Sequence, residues 1–184
     1  MTHVPGLPTL ETERLVLRAP RAGDFDAWAA FWASDASAPV GGPRPRHMAW
    51  RGFATLWGHA AIRGFGRWIV TERGADRALG CVGLYHPEEW PEPEIAWTLW
   101  PEAQGRGIAQ EAALAARRHA YGTLGWTTAI SAVAADNERS MALARRLGCV
   151  RDGAFEHPEH GPLPIWRHPA PAEAGPSTGD EATA

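Results

Sequence analysis

The apolar positions of the chain change period every ten to twenty residues, and each change marks an element. In "RLVLRAP" (14 to 20), Leu15 and Leu17 alternate with Arg14, Val16 and Arg18, which predicts a strand. "DFDAWAAFW" opens on Asp24, a candidate cap, and places Phe25, Trp28 and Trp32 on one helical face. Beyond the turn-rich "SAPVGGPRP", Trp50, Phe53 and Trp57 predict a second helix over about 46–62. "RWIVTE" and "ALGCVGLY" read as strands joined by the turn "RGADR", and "EEWPEP" (88 to 93) separates them from a further strand, "EIAWTLW" (94 to 100). A helix over about 107–121, a buried-type strand in "TTAISAVA", and a short helix in "NERSMALARRLG" that stops at Gly148 follow. "CVRDGAF" and "LPIWRH" close the pattern as strands.

The order β-α-α-β-β-β-α-β-α-β-β predicts an α/β fold with a mixed, mostly antiparallel sheet of about six to seven strands and about four helices. The helix at about 107–121 is the crossover of its parallel pair. Length and composition fit one soluble domain: 184 residues, 45% apolar and 21% charged. From Pro169 the chain has no large apolar residue, so residues 1–168 are read as the domain and 169–184 as a Pro/Ala-rich tail. A net charge of −3 gives no support to nucleic-acid or membrane-surface binding. No apolar run reaches 18 residues and no basic stretch leads into an apolar one at the start, so a cytoplasmic chain is expected. Cys81 and Cys149 lie far apart and the eight His form no i, i+4 pair, which predicts neither a disulfide scaffold nor a metal site. All 18 basic residues are Arg, so no lysine amine exists for modification.

One stretch carries chemistry. "AQGRGIAQEAALAARR" (103 to 118) puts two glycines at the mouth of an alanine-rich helix, where backbone N–H groups and the helix dipole favour an anion. A Walker A loop needs Lys and then Ser or Thr after its last glycine; Ile108 and Ala109 stand there instead. A dinucleotide fingerprint needs a third glycine where Gln110 stands, and Asp136 comes about ten residues too late for the ribose acid. Gln104-Gly105-Arg106-Gly107-Ile108-Ala109 instead matches Q/R-x-x-G-x-G/A, and here the sequence resembles the GNAT superfamily of N-acetyltransferases.

"DNERSMALARRLG" (136 to 148) and "LETERLVLRAP" (10 to 20) extend the resemblance to about residues 10–168 and toward the RimJ/RimL-type branch, the ribosomal-protein-alanine acetyltransferases and their relatives. It implies a twisted sheet whose parallel strands splay at the coenzyme, acetyl-CoA as cosubstrate held by residues 104–109, and a homodimer. Asn137 would contact the pantetheine arm, and Ser140 would point its hydroxyl at the thioester sulfur; plain helix capping would also explain either residue. Where many members carry a general-acid Tyr, seven residues after Asn137, this chain has Ala144, which leaves Ser140 as the candidate.

On strand 94–100, a backbone N–H between Trp97 and Leu99 would be freed by a bulge to bond the thioester carbonyl, and Trp97, Leu99 and Trp100 join the coenzyme-binding residues. Glu94 is the candidate general base. Glu88, Glu89 and Glu92 would make the entrance negative, to suit a cationic amine. Trp28, Trp32, Trp57 and Trp90 are candidates for the acceptor pocket, with His86 and His157 as further acceptor-site residues. Arg106 could reach phosphate from the loop, and Arg145 and Arg146 the 3′-phosphate. The implied reaction is acetyl transfer to a primary amine of a small molecule or protein N-terminus. The alternative is an acyl-CoA-binding sensor without turnover.

Overall fold

The computed structural model describes residues 7–158 and 161–171; most of the tail expected from Pro169, residues 172–184, lies outside them. Eight strands form one sheet: β1 (Leu10–Glu11), β2 (Leu15–Arg18), β3 (Arg67–Glu72), β4 (Gly80–Tyr85), β5 (Glu94–Leu99), β6 (Ile130–Ala132), β7 (Val150–His157) and β8 (Gly161–Arg167). Their order is β1-β2-β3-β4-β5-β6-β8-β7. Every neighbouring pair is antiparallel except β5 and β6. The helices are α1 (Phe25–Trp32), α2 (Arg46–Arg63), α3 (Ile108–Gly122) and α4 (Glu138–Arg146), with 3-10 turns at Ala22–Asp24, Asp35–Val40 and Pro101–Ala103.

Alternation along the strands sorts the core into two layers. Trp68, Val70, Val82, Leu84 and Ile95 pack under α3 and α4, where Ala112, Ala113, Ala116 and Ala120 have no exposed surface. Such small side chains let α3 lie close to the strands. Ile69 and Cys81 point the other way and meet Trp28, Phe31, Phe53, Leu56 and Trp100 beneath α1 and α2.

The structure departs from the sequence reading in three places that bear on the site. β6 pairs with β5 only through Glu94 and Ile130, so the predicted strand over 127–134 shortens to Ile130–Ala132 and the parallel strands part beyond it. The expected bulge in β5 is not there: its register with β4 runs unbroken from Tyr85↔Glu94 to Gly80↔Leu99. Asp24 gives α1 no side-chain cap. It accepts two bonds from Arg18 at 2.7 and 2.8 Å and one from the Arg21 N–H at 2.7 Å; Arg18 keeps the face opposite Leu15 and Leu17 that its alternation gives it, but is buried there.

Candidate active site

Where β5 and β6 part, a cleft of about 710 Å³ opens through the sheet. Residues from both faces therefore line one space: Glu94, Tyr85 and Arg67 from the α1/α2 side, Trp97 and Ser140 from the α4 side. A buried polar chain holds the gap. Ser131 donates to the Ile95 carbonyl at 2.7 Å and accepts from His168 Nε2 at 2.9 Å, while His168 Nδ1 faces Arg117 Nη1 at 3.4 Å. Arg117 also donates to the Leu147 carbonyl at the C-terminal end of α4 at 2.7 Å, where the helix dipole is negative. Burial and the Arg117 charge push His168 down to about 3, so the ring is neutral and each donor in the chain meets an acceptor.

Glu94 opens β5 and is only 5% exposed. One carboxylate oxygen accepts the Ala132 N–H at 2.9 Å and the other accepts Trp90 Nε1–H at 2.6 Å. Burial raises its pKa to about 7 despite those two donors and the charge of Arg67. A carboxyl in this state is poised to exchange a proton near neutrality.

Across the cleft, Asn137 caps α4 by accepting the Ser140 N–H at 3.1 Å, and its amide donates to Pro39. The Ser140 hydroxyl accepts Trp97 Nε1–H at 3.1 Å, which leaves its own proton free to be donated into the cleft. Along β5 the N–H groups alternate sides: Trp100 donates to Leu79 on the β4 edge, so Trp97 and Leu99 present theirs to the gap. The splay thus supplies what the expected bulge was to supply.

Gly105 and Gly107 both sit in the left-handed region (φ 74° and 76°), and Gly107 is the N-cap of α3. A Cβ on Gly107 would meet Arg14 at 3.3 Å, while the space at Gly105 is open. Ile108 is buried and Ala109 packs against the core, which anchors the turn. Gln104 fastens it at the other end by donating to the Leu99 carbonyl at 3.0 Å and accepting from Arg139 of α4 at 2.5 Å. Support from behind comes from residues the local patterns do not reveal. Glu111 accepts from Thr12, the Arg14 N–H and Arg14 Nε at 2.6, 3.0 and 2.7 Å, and Arg14 also donates to the Arg106 carbonyl at 3.2 Å.

Other expected residues lie elsewhere. The Arg106 side chain turns from the loop to pair with Glu72. Trp100 is buried against Phe31, with centroids 4.7 Å apart, and does not line the cleft; neither does Trp57, which packs on Phe53. Trp28, Trp32 and Trp90 do line it. His86 and His157 do not; His157 is buried beside Trp90. Arg145 stacks on Trp166, with its guanidinium 5.3 Å from the ring. The expected acidic entrance is reduced to Glu89, whose charge acts on Tyr85 in the cleft wall. Glu92 is held by Arg167 at 2.7 and 2.8 Å, Glu88 pairs with Arg63, and none of the three loop glutamates lines the cleft.

Among the described residues no group of three or more His, Cys, Asp or Glu is arranged to hold a metal ion, and no helix is long and apolar enough to cross a membrane.

An α/β sheet split at one parallel pair, with a glycine turn at the following helix and a carboxyl and a hydroxyl facing across the gap, is the architecture of an acyltransferase. Residues 14–150 match the family described as acetyltransferase (GNAT) domain. The chain belongs to that family. It is similar to an acetyltransferase from Agrobacterium tumefaciens str. C58, with 34% identity, a TM-score of 0.82, and 88% of this chain and 94% of that chain covered. It is 26% identical to the uncharacterized N-acetyltransferase YoaA of Bacillus subtilis (strain 168), over 80% of this chain and 86% of that protein. The ribosomal L7/L12 α-N-protein acetyltransferase RimL in complex with coenzyme A shares the fold at 16% identity, with a TM-score of 0.70 over 88% of this chain and 97% of that one.

Proposed function

We propose that the protein is an acetyl-CoA-dependent N-acetyltransferase that transfers acetyl directly to a primary amine, with Glu94 as base. The observation that carries this reading is Glu94 itself, a buried carboxyl with a pKa of about 7 in the cleft that Ser140 also lines. The residues present suit the coenzyme. Backbone N–H groups at the turn 104–109 and the start of α3 offer an anion site kept clear by Gly105 and Gly107, and Asn137 borders the gap where a pantetheine arm fits. The acetyl donor supplies an activated acyl carbon and a thiolate leaving group with a thiol pKa of about 8.5.

The chain's own groups do the rest. Glu94 takes a proton from the ammonium or from the attacking nitrogen, through its cleft-facing carboxylate. One N–H on the gap side of β5, that of Trp97, which lines the cleft, bonds the carbonyl oxygen as negative charge develops on it. Ser140 donates its hydroxyl proton as a hydrogen bond toward the departing sulfur, and so stands in for the Tyr that Ala144 replaces. The Trp97 indole N–H fixes the direction of that donation.

We assign the catalytic unit to residues 1–168, with acetyl-CoA-binding residues in the turn 104–109, on β5 and at Asn137 and Ser140. We place the protein in the RimJ/RimL-type branch on the strength of the motif "DNERSMALARRLG" and the opening strand, in the cytoplasm because its two free cysteines suit a reducing compartment, and as a homodimer because the superfamily resemblance implies one. Free coenzyme A release from acetyl-CoA in the presence of an amine panel tests the reading. Turnover is expected. Acetyl-CoA binding without release on any amine would favour the sensor.

A further inference from the structure

The wall of the cleft beside Glu94 is cationic and aromatic, and this bears on the amine that the acetyltransferase reading leaves open. Arg67 opens β3 on the same face of the sheet as Tyr85 and Glu94. Its guanidinium lies over the Tyr85 ring, 4.6 Å from the centroid. Among the described residues it has no ion-pair partner, and its Nε–H is buried without an acceptor. Arg44, on the loop after the 3-10 turn at Asp35–Val40, lines the same cleft. It donates to the Gly41 carbonyl at 2.9 Å, lies 5.5 Å from the Trp32 ring centroid and likewise meets no carboxylate. Trp32 Nε1–H, also in the lining, is a second buried donor without an acceptor.

The contrast with nearby arginines is informative. Arg46, Arg63 and Arg167 all hold carboxylates, so acids are at hand in this part of the molecule and are spent elsewhere. Glu94 does not pair with Arg67; its oxygens go to Ala132 and Trp90. The other carboxylate in the lining, Asp136, belongs to the exposed approach to α4. Arg67 is near enough to lower the pKa of Glu94, but its fork holds no carboxylate; a half-buried guanidinium on an aromatic floor with its donors unmet is costly, and its planar fork matches a carboxylate or phosphonate.

We propose that the acceptor is a compact amine that carries its own anionic group, an amino acid or aminoalkylphosphonate, with the anion held by Arg67 and Arg44 and the amine delivered to Glu94. The inference rests on the acetyltransferase reading and goes further by fixing the charge of the substrate. It also reverses the cationic preference expected from the glutamates before β5.

The test is kcat/KM for coenzyme A release with α-, β- and γ-amino carboxylates and 2-aminoethylphosphonate, each against its uncharged amide or diester. Removing the anion lowers the amine pKa and enriches its reactive neutral form, so a preference for the anionic member runs against that bias. The anionic member of at least one pair is expected to be favoured by about tenfold or more, the scale of a charge-assisted hydrogen bond. Arg67→Gln should cut that ratio about tenfold, and Arg44→Gln should cut it by less. Acetyl-CoA binding by both variants reports that they are folded. If the uncharged members react equally well or better, or if a tripeptide amide with an acidic second residue outperforms every amino acid, the proposal is overturned while acetyl transfer stands. Release from no amine at all, with acetyl-CoA bound, overturns both readings.

Discussion

Glu94 is buried as an acid that ionises reluctantly, and the fold gives it just enough help to do so near neutrality. Its folded pKa of about 7 lies above the ordinary 4.5, so the protonated form is favoured in the folded chain. Its stabilising contribution is complete below pH 4.5 and is lost as pH rises to about 7, a change of roughly 3 kcal/mol. Glu94→Gln removes this term. Urea unfolding should therefore show the variant gaining on wild type between those pH values, and a constant difference would place the carboxyl in water. Ser140→Ala should lower kcat by about tenfold or more and leave acetyl-CoA binding within a few-fold; loss of binding at constant kcat would mean that the Ser140 hydroxyl only holds Trp97 in place. Glu94, Asn137 and Ser140 were named in the sequence through its resemblance to the acetyltransferase branch, and all three line one cleft. Arg67 was not, since its neighbours Tyr85 and Glu94 reach it only through strand register.

At the scale of elements, the glycine turn and the strand splay are built by different means. The turn is local: two residues at positive φ followed by a helix, which the spacing of Gly105 and Gly107 announces. Gly107→Ala forces a Cβ into the left-handed region, at roughly 1–2 kcal/mol, and against Arg14. Its expected signature is a several-fold rise in KM for acetyl-CoA with kcat little changed, read from steady-state kinetics. The splay depends on Ser131, His168 and Arg117, which come from three separate segments. Ser131→Ala leaves the His168 N–H and the Ile95 carbonyl without their partner, at about 1–3 kcal/mol by chemical denaturation. No pattern along the chain marks this network, because the Ser, the His and the Arg each read as an ordinary polar interruption. The same limit explains Asp24. Its place before an apolar helix looked like a cap, but a buried Arg18 on the neighbouring strand took both oxygens.

Much of the architecture of the whole molecule follows from element order, and so the α/β sheet and its single parallel pair were readable. The two-residue strand Leu10–Glu11, which brings the sheet from the expected six or seven strands to eight, was too short to show a period. The electrostatics of the cleft were not readable. Charges counted along "EEWPEP" suggested an acidic mouth, whereas folding pairs Glu88 and Glu92 with Arg63 and Arg167 and exposes the cleft to Arg44 and Arg67. Global stability against pH should show the same balance. Two buried neutral histidines, His59 with a pKa of about 4 and His168 of about 3, hold stability that is present above pH 6.5 and lost as pH falls through those values. Glu94 works in the opposite sense, so unfolding midpoints should be highest in mildly acidic buffer and fall on both sides. A midpoint that climbs steadily to pH 8 would contradict that balance.

The role of Glu94 as the base is tested most directly by the pH dependence of coenzyme A release for wild type and Glu94→Gln at saturating acetyl-CoA. Wild-type kcat/KM should rise through a limb near pH 7, below the titration of the amine itself. The variant should lack that limb and be slower by about 10²-fold or more at pH 7. A variant that matches wild type in rate and profile would show that Glu94 is not the base.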